Sequence, residues 1–209
     1  MIETSVLACT LLGLAAGAHH ALTGPDHLAG VAPLASSSVG GGWRPALRVG
    51  IEWGVGHAAG ASLAAILALF LRSEIPGIDE RLSAISETVV GVLLCILGVL
   101  GLSRALRRRP GTHEHGAPRA RRSRPAVVLG LVHGAAGMSH LFAVLPALAL
   151  PGKLLPAAYL AGYGAGSLVT IAAYAAVLGW LARDRGRWVL GIGSAASVAV
   201  GALWIVHPV

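Results

Sequence analysis

Residues 18–28, AHHALTGPDHL, lie inside an apolar run that extends from residue 5 to residue 39. Ionisable side chains in such a run cost about 3 kcal/mol each to insert into a bilayer, so they are typical of a functional site. The run is 35 residues long, whereas one straight membrane-spanning helix needs roughly 20. Pro25 lacks a backbone donor and disfavours helical backbone at Gly24. The sequence therefore predicts a first helix that is broken at Gly24-Pro25.

The composition is that of an integral membrane protein. Of the 209 residues, 55% are hydrophobic and 12% are charged, and the mean hydropathy is +0.73. Soluble domains carry roughly 25% charged residues. The formal net charge of +7 comes from arginines beside the apolar runs, which indicates the positive-inside bias. We therefore expect the lipid bilayer, and not nucleic acid, as a partner.

Six apolar runs are long enough to span a bilayer, and their Ala, Leu and Gly content favours helices. They comprise residues 6–22, 49–71, 83–105, 126–150, 154–182 and 188–205. The predicted fold class is an all-α membrane protein with six transmembrane helices. We divide it into a first three-helix repeat (1–103), an Arg- and His-rich linker (104–125) and a second three-helix repeat (126–209).

The orientation follows from the basic residues. If the linker and the chain ends alternate between the two faces, 13 of the 16 basic residues fall on the face that holds the linker. We expect that face to be cytoplasmic, which places both termini outside a plasma membrane. The first residues are acidic rather than basic, so we interpret them as mature chain and not as a signal peptide.

The two halves are related by a shift of 113 positions. The shift places His20 on His133, Gly24 on Gly137 and His27 on His140. Because each half has three spans, the halves enter the membrane from opposite sides, which is the inverted-repeat plan of secondary transporters.

His20, Asp26 and His27 form the strongest candidate metal site. Imidazole and carboxylate are ligands for borderline divalent cations, and the predicted break places them next to free carbonyls at membrane depth. His57, in the second span, is a further candidate ligand. The alternative interpretation is a buried polar network that only holds helices together.

Three other histidines are candidates for outer positions around the site or for a gate. His19 is adjacent to His20, and His133 and His140 repeat the seven-residue spacing of His20 and His27. Ser139 stands where the first half has Asp26, so the second half offers a neutral partner site. No zinc-protease or nucleotide-binding motif is present, and we predict no enzymatic activity.

Four segments resemble the nickel/cobalt transporter superfamily, in particular its UreH-type branch of urease accessory membrane proteins. HALTGPDHL (20–28) resembles its His-Ala-x-x-x-Asp-His signature, with one more residue before the aspartate. WGVGH (53–57), GLVHGAAG (130–137) and GYGAGS (162–167) resemble other segments of that family. The resemblance implies a permease for Ni(II) or Co(II), with His20, Asp26, His27 and His57 contacting the metal.

We therefore predict a multi-pass transporter of divalent transition-metal cations, with nickel or cobalt as substrate and no permanently bound cofactor. One alternative is a transporter of another small solute, such as a sulfite-like anion. A second is a non-transporting accessory protein for metalloenzyme maturation. A metallochaperone and a second copy of the chain are the candidate protein partners.

Overall fold

The computed structural model describes residues 2–37, 42–71, 78–107, 124–136, 146–147 and 149–207. Within these residues six helices have defined bounds, and we number them in chain order. They are α1 (Ile2–Thr23), α2 (Pro25–Ser36), α3 (Trp43–Leu71), α4 (Ile78–Arg107), α5 (Arg124–Ala135) and α6 (Leu154–Val206). The prediction of an all-helical fold is confirmed for this part of the chain.

The break in the first apolar run lies at the predicted place. Helix α1 ends at Thr23 and α2 begins at Pro25, while Gly24 between them has extended backbone (φ −77°, ψ 100°). The Gly24 N–H still donates to the His20 carbonyl at 3.0 Å, and the Gly24 carbonyl accepts from His27 N–H at 3.1 Å. Proline in the first turn of α2 needs no backbone partner, because the first N–H groups of a helix have none. The break therefore places Asp26 and His27 in the first turn of a new helix.

The chain is a membrane-associated protein. Three helical segments of the described residues are long and apolar enough to cross a membrane, namely Ser5–Thr23, Glu87–Arg107 and Leu154–Val206. Large apolar side chains point outward from them: Leu12, Val169 and Ile192 are between 60% and 68% exposed. Such contiguous apolar surface is stable against lipid and costly in water.

The count of six separate spans is not confirmed within the described residues. Helix α3 covers the second predicted span, 49–71, but is not among the three long apolar helices found in the described residues. For the fourth predicted span, 126–150, the structure gives a shorter apolar helix, Ala126–Ala135, and residues 137–145 lie outside the described residues. The fifth and sixth predicted spans fall within the single 53-residue element α6, whose backbone departs from helical geometry at Arg185 (φ −123°, ψ 28°). This departure lies within residues 183–187, which separate the fifth and sixth predicted spans.

Helix α6 turns back on itself at Arg185. We call residues 154–184 its N arm and residues 186–206 its C arm. Both arms line one groove of about 480 Å³, which Tyr174 and Leu178 reach from the N arm and Ile192 and Val200 from the C arm. In a straight helix with a rise of 1.5 Å per residue, Tyr174 and Val200 would lie about 39 Å apart. The two arms therefore face each other across the groove.

Helices include the first and last residues of the predicted linker 104–125. Helix α4 continues through Arg107 and α5 already begins at Arg124. Arg, Ala and Leu are good helix formers, so residues 104–107, which include two arginines, continue α4. Linker residues 108–123 lie outside the described residues.

Glycines bring two pairs of helices together in parallel. A Cβ atom on Gly13 of α1 would overlap the Tyr159 carbonyl of the N arm, and one on Gly17 would overlap the Tyr163 carbonyl, four residues later. The same relation joins α3 to α5, where Gly56 faces the Val127 carbonyl and Gly60 faces that of Leu131. Small residues allow this close approach of backbones in membrane helices.

Two other pairs are antiparallel. Gly50 of α3 faces Ala175 of the N arm, and Gly54 faces Leu168. Helix α4 meets the C arm in the same sense, since Gly91 faces Gly201 and Gly98 faces Ser194. The short helix α2 lies within this frame, and nine of its 12 residues are buried.

Candidate functional site

Four helices bring five polar side chains together inside the protein. Helix α1 supplies His20, α2 supplies Asp26 and His27, α3 supplies His57 and α5 supplies His133. The residues from α2, α3 and α5 are at most 5% exposed, and His20 is half-buried. The break at Gly24 makes this possible, because it turns the chain between His20 and the two residues of α2.

Asp26 joins α2 to α5. Its Oδ2 accepts a hydrogen bond from His133 Nε2 at 2.9 Å, and its Oδ1 lies 3.0 Å from His27 Nδ1. A buried carboxylate without partners would be costly, so two imidazoles on two different helices hold this charge in place. The contact fixes Nε2 of His133 as a donor toward Asp26.

His27 is the centre of the cluster. Its Nδ1 is directed to Asp26, while its Nε2 lies 3.3 Å from Nε2 of His57. Its ring centroid is 4.7 Å from those of His20 and His57, and 5.2 Å from that of His133. Every other member of the cluster therefore lies next to His27.

The donor atoms form two overlapping triads. One consists of His20, His27 and His57, and the other of Asp26, His27 and His133. Within each triad the candidate ligand atoms lie within 4.8 Å of one another.

The donor set and its spacing fit a divalent transition metal. Two nitrogens bound tetrahedrally at about 2.0–2.1 Å to one ion lie about 3.3–3.4 Å apart, and the Nε2 atoms of His27 and His57 are 3.3 Å apart. Imidazole with one carboxylate is a ligand set for such ions and not for Mg²⁺ or Ca²⁺.

Two aromatic rings enclose the imidazoles. Trp53, which is 1% exposed, stacks on His57 with centroids 4.9 Å apart and an interplanar angle of 8°. The same ring lies 5.1 Å from His133, and Tyr163 of the N arm lies 5.7 Å from His20. Sequence analysis did not assign these two residues to the site. The four-residue spacing of Trp53 and His57 was the available signal, because residues i and i+4 share a helix face.

The structure places the predicted site residues as follows. The four predicted metal-contacting residues, His20, Asp26, His27 and His57, come together. His133, predicted only as an outer or gating residue, is a direct member through its bond to Asp26. His19 is exposed and lies outside the cluster. Its backbone carbonyl accepts a hydrogen bond from the Thr23 hydroxyl at 2.9 Å.

His140, the last predicted outer or gating residue, lies outside the described residues.

Comparison with known proteins identifies two similar chains from Arabidopsis thaliana. This chain is 31% identical over 188 residues to "Chloroplast protein FOR GROWTH AND FERTILITY 2", which is 86% of this chain and 49% of that protein. It is 32% identical over 182 residues to "Chloroplast protein FOR GROWTH AND FERTILITY 1", which is 80% of this chain and 48% of that protein. The chain thus spans about half the length of the curated relatives it matches.

No family model matches the chain. No solved structure matches it at a significant level either.

The expected membership of the nickel/cobalt transporter superfamily and its UreH-type branch is therefore wrong. The prediction of nickel or cobalt transport is wrong with it, because the relatives are named as chloroplast growth and fertility proteins and neither name refers to metal transport. The segments that suggested the family are rich in glycine, and Gly56, Gly130, Gly134 and Gly162 all face carbonyls of neighbouring helices. Close helix packing produces such glycine patterns in unrelated membrane proteins.

Proposed function

We propose that this membrane protein binds one divalent transition-metal ion at the cluster of His20, Asp26, His27, His57 and His133, as a bound ion and not as transported cargo. The observation that carries the proposal is the convergence of two triads of ligand atoms, each within 4.8 Å, at a buried place. Ionisable side chains at membrane depth are expensive, and a bound cation accounts for their presence.

His27 and His57 are the proposed core of the site. Their Nε2 atoms are 3.3 Å apart, and His20 is the third nitrogen donor of their triad. Asp26 supplies the negative charge and lies against Nδ1 of His27. A carboxylate that contacts the far nitrogen of a metal-binding imidazole fixes the ring orientation and raises its basicity. The metal itself would act as a Lewis acid and as a cross-link between helices.

The proposal is tested by the metal content of the purified protein in detergent. We expect the wild type to retain about one Zn(II) per chain after dialysis and to retain no Mg(II). Removal of a ligand or its carboxylate partner costs about 10- to 100-fold in affinity, so His27→Ala should lose Zn(II) to dialysis. His19→Ala is the matched control, since it removes a neighbouring but exposed imidazole and should bind like the wild type.

Two results would contradict the proposal. One is a wild-type protein that retains no Zn(II), and the other is a His27→Ala protein that retains as much as the wild type. In either case the contacts among His133, Asp26, His27 and His57 serve only to hold α2, α3 and α5 together, which is the alternative interpretation of the sequence.

The proposal includes the predicted arrangement of two inverted three-helix repeats. The packing directions support it: α1 is parallel to the N arm of α6, just as α5 is parallel to α3. In the predicted repeat α1 corresponds to α5, and α3 corresponds to the N arm of α6. The α1–N arm pair and the α5–α3 pair are therefore equivalent, and both are parallel. The α3–N arm and α4–C arm pairs are antiparallel, as expected for helices related by a two-fold axis in the membrane plane.

The sidedness of the chain is a further part of the proposal. The basic residues predict that Arg104 and Arg183 share a face and that Lys153 lies on the other. We would place single cysteines at these positions in a chain without its two native cysteines. A membrane-impermeant maleimide should label positions 104 and 183 from one side of the membrane and position 153 from the other. Labelling of all three from one side would refute six crossings. The names of the relatives refer to the chloroplast, so the plasma membrane stays a prediction.

A further inference from the structure

An apolar groove runs along the side of α2 that faces away from the histidine cluster. Four residues of α2 line it with the spacing i, i+3, i+4 and i+7, namely Pro25, Leu28, Ala29 and Ala32. This spacing marks one face of a helix. The two arms of α6 form the other walls, and the groove holds about 480 Å³.

The groove extends inward from the turn of α6. Leu181 and Val189 line it four residues before and four residues after Arg185, and Tyr174 and Val200 line it further along the two arms. With 1.5 Å per residue, the groove follows the arms for about 10–16 Å. It therefore has the direction and length of part of a lipid acyl chain lying beside transmembrane helices.

The turn itself is basic and bears aromatic residues. Arg183, Arg185 and Arg187 are exposed, and with Asp184 they give the turn a net charge of +2. Trp180 and Trp188 flank it and are 61% and 65% exposed, and the Arg187 guanidinium lies 5.2 Å from the Trp188 ring centroid. Exposed tryptophan and arginine are typical of the membrane–water interface, where anionic lipid headgroups lie.

We propose that this groove is a binding site for one anionic phospholipid. An acyl chain occupies the groove between α2 and the two arms of α6, and the phosphate lies against the basic turn at residues 183–187. The apolar lining selects a hydrocarbon chain, and the charge of the turn selects an anionic headgroup. Because the groove and the histidine cluster lie on different faces of α2, the site is independent of the proposed metal.

The experiment is native mass spectrometry of the full chain after exchange into equal amounts of phosphatidylglycerol and phosphatidylcholine. One basic residue near the surface is worth about 1 kcal/mol, or about fivefold, toward anionic lipid. A net charge of +2 therefore predicts retention of one phosphatidylglycerol with a preference on the order of 25-fold over phosphatidylcholine.

Two sets of variants separate the groove from the turn. Ala196→Trp places a large side chain in the groove and should abolish retention of both lipids, while Ala202→Trp, on an exposed position of the same arm, should leave it unchanged. Joint replacement of Arg183, Arg185 and Arg187 by Gln should remove the headgroup preference but not chain binding. The control replaces the exposed Lys153, at the opposite end of the N arm, by Gln and should leave the headgroup preference unchanged.

Several outcomes would overturn the proposal: no retained lipid in the wild type, equal retention of the two headgroups, or an Ala196→Trp protein that binds like the wild type. An equal loss in Ala202→Trp would also overturn it. Helix content by circular dichroism and the elution volume establish that each variant is folded, and the Gln variant tests the proposal without altering the groove.

Discussion

Gly134→Ala tests the contact that brings His133 to Asp26. Gly134 lies in α5 against the backbone of α3, where an added Cβ would be 2.8 Å from the His57 carbonyl carbon and 2.9 Å from the Ala61 nitrogen. Ordinary contacts between carbon atoms are about 3.5–4.0 Å. To accept the methyl group, α5 must withdraw from α3 by on the order of 1 Å.

A shift of that size breaks the neighbouring hydrogen bond. The distance from His133 Nε2 to Asp26 Oδ2 would grow from 2.9 Å to at most about 3.9 Å, and beyond about 3.5 Å it is no longer a hydrogen bond. An unsatisfied buried polar group costs about 1–3 kcal/mol and overpacking a similar amount, while Ala gains about 1 kcal/mol over Gly in a helix. We expect the free energy of unfolding to fall by about 1–5 kcal/mol.

The assay is unfolding in detergent by increasing sodium dodecyl sulfate, followed by tryptophan fluorescence. The matched control is Gly164→Ala, where an added Cβ meets nothing within 4 Å and the free energy of unfolding should rise by about 0.5–1 kcal/mol. Zn(II) binding should weaken in Gly134→Ala and stay unchanged in Gly164→Ala. Equal stability of the two variants would refute the reasoning, because it would mean that α5 does not touch α3 at this point.

Three further predictions use the same measurements. The Ser167 hydroxyl donates a hydrogen bond to the Gly17 carbonyl across the α1–α6 interface at 3.0 Å, so Ser167→Ala should lower the free energy of unfolding by about 0.6–1.5 kcal/mol. Ser62→Ala removes an exposed hydrogen bond within one helix and should change this free energy by less than about 0.5 kcal/mol. A larger loss in Ser62→Ala than in Ser167→Ala would contradict the interface. The Arg48–Glu52 pair, 2.8 Å apart with Arg48 largely exposed, is worth about 0.3–0.5 kcal/mol, so a loss above about 2 kcal/mol in Glu52→Gln would show that it has another role. Trp53 stacks on His57, so Trp53→Phe should remove most of the fluorescence change caused by Zn(II), and an unchanged response would place the ion elsewhere.

Much of the first half of the site could be predicted from local rules. The break at Gly24 follows from the missing donor of Pro25, and it brings His20, Asp26 and His27 together within eight residues of sequence. His57 was predicted from its place in an apolar run. These inferences depend on backbone chemistry and on the cost of burying ionisable groups, both of which can be seen in a single segment.

The partnership of Asp26 with His133 could not be predicted in this way. The two residues are 107 positions apart, and the repeat pairs His133 with His20 as an equivalent position, which says nothing about contact. The contact depends on the parallel packing of α3 and α5 through glycines. The boundary at Arg185 could be predicted, because it lies in the gap between the predicted fifth and sixth spans, 154–182 and 188–205, where arginines interrupt the apolar sequence.

The parallel pairing of α1 with the N arm of α6 sets an order of assembly. Gly13 contacts Tyr159, so α1 cannot form this contact until the ribosome has added 146 further residues. At roughly 5–20 residues per second this takes about 7–30 s. During that time the glycine face of α1 has only lipid or insertion machinery against it. We therefore expect release of a chain truncated before the N arm to leave α1 open to degradation, whereas loss of the last turn of α6 would be tolerated.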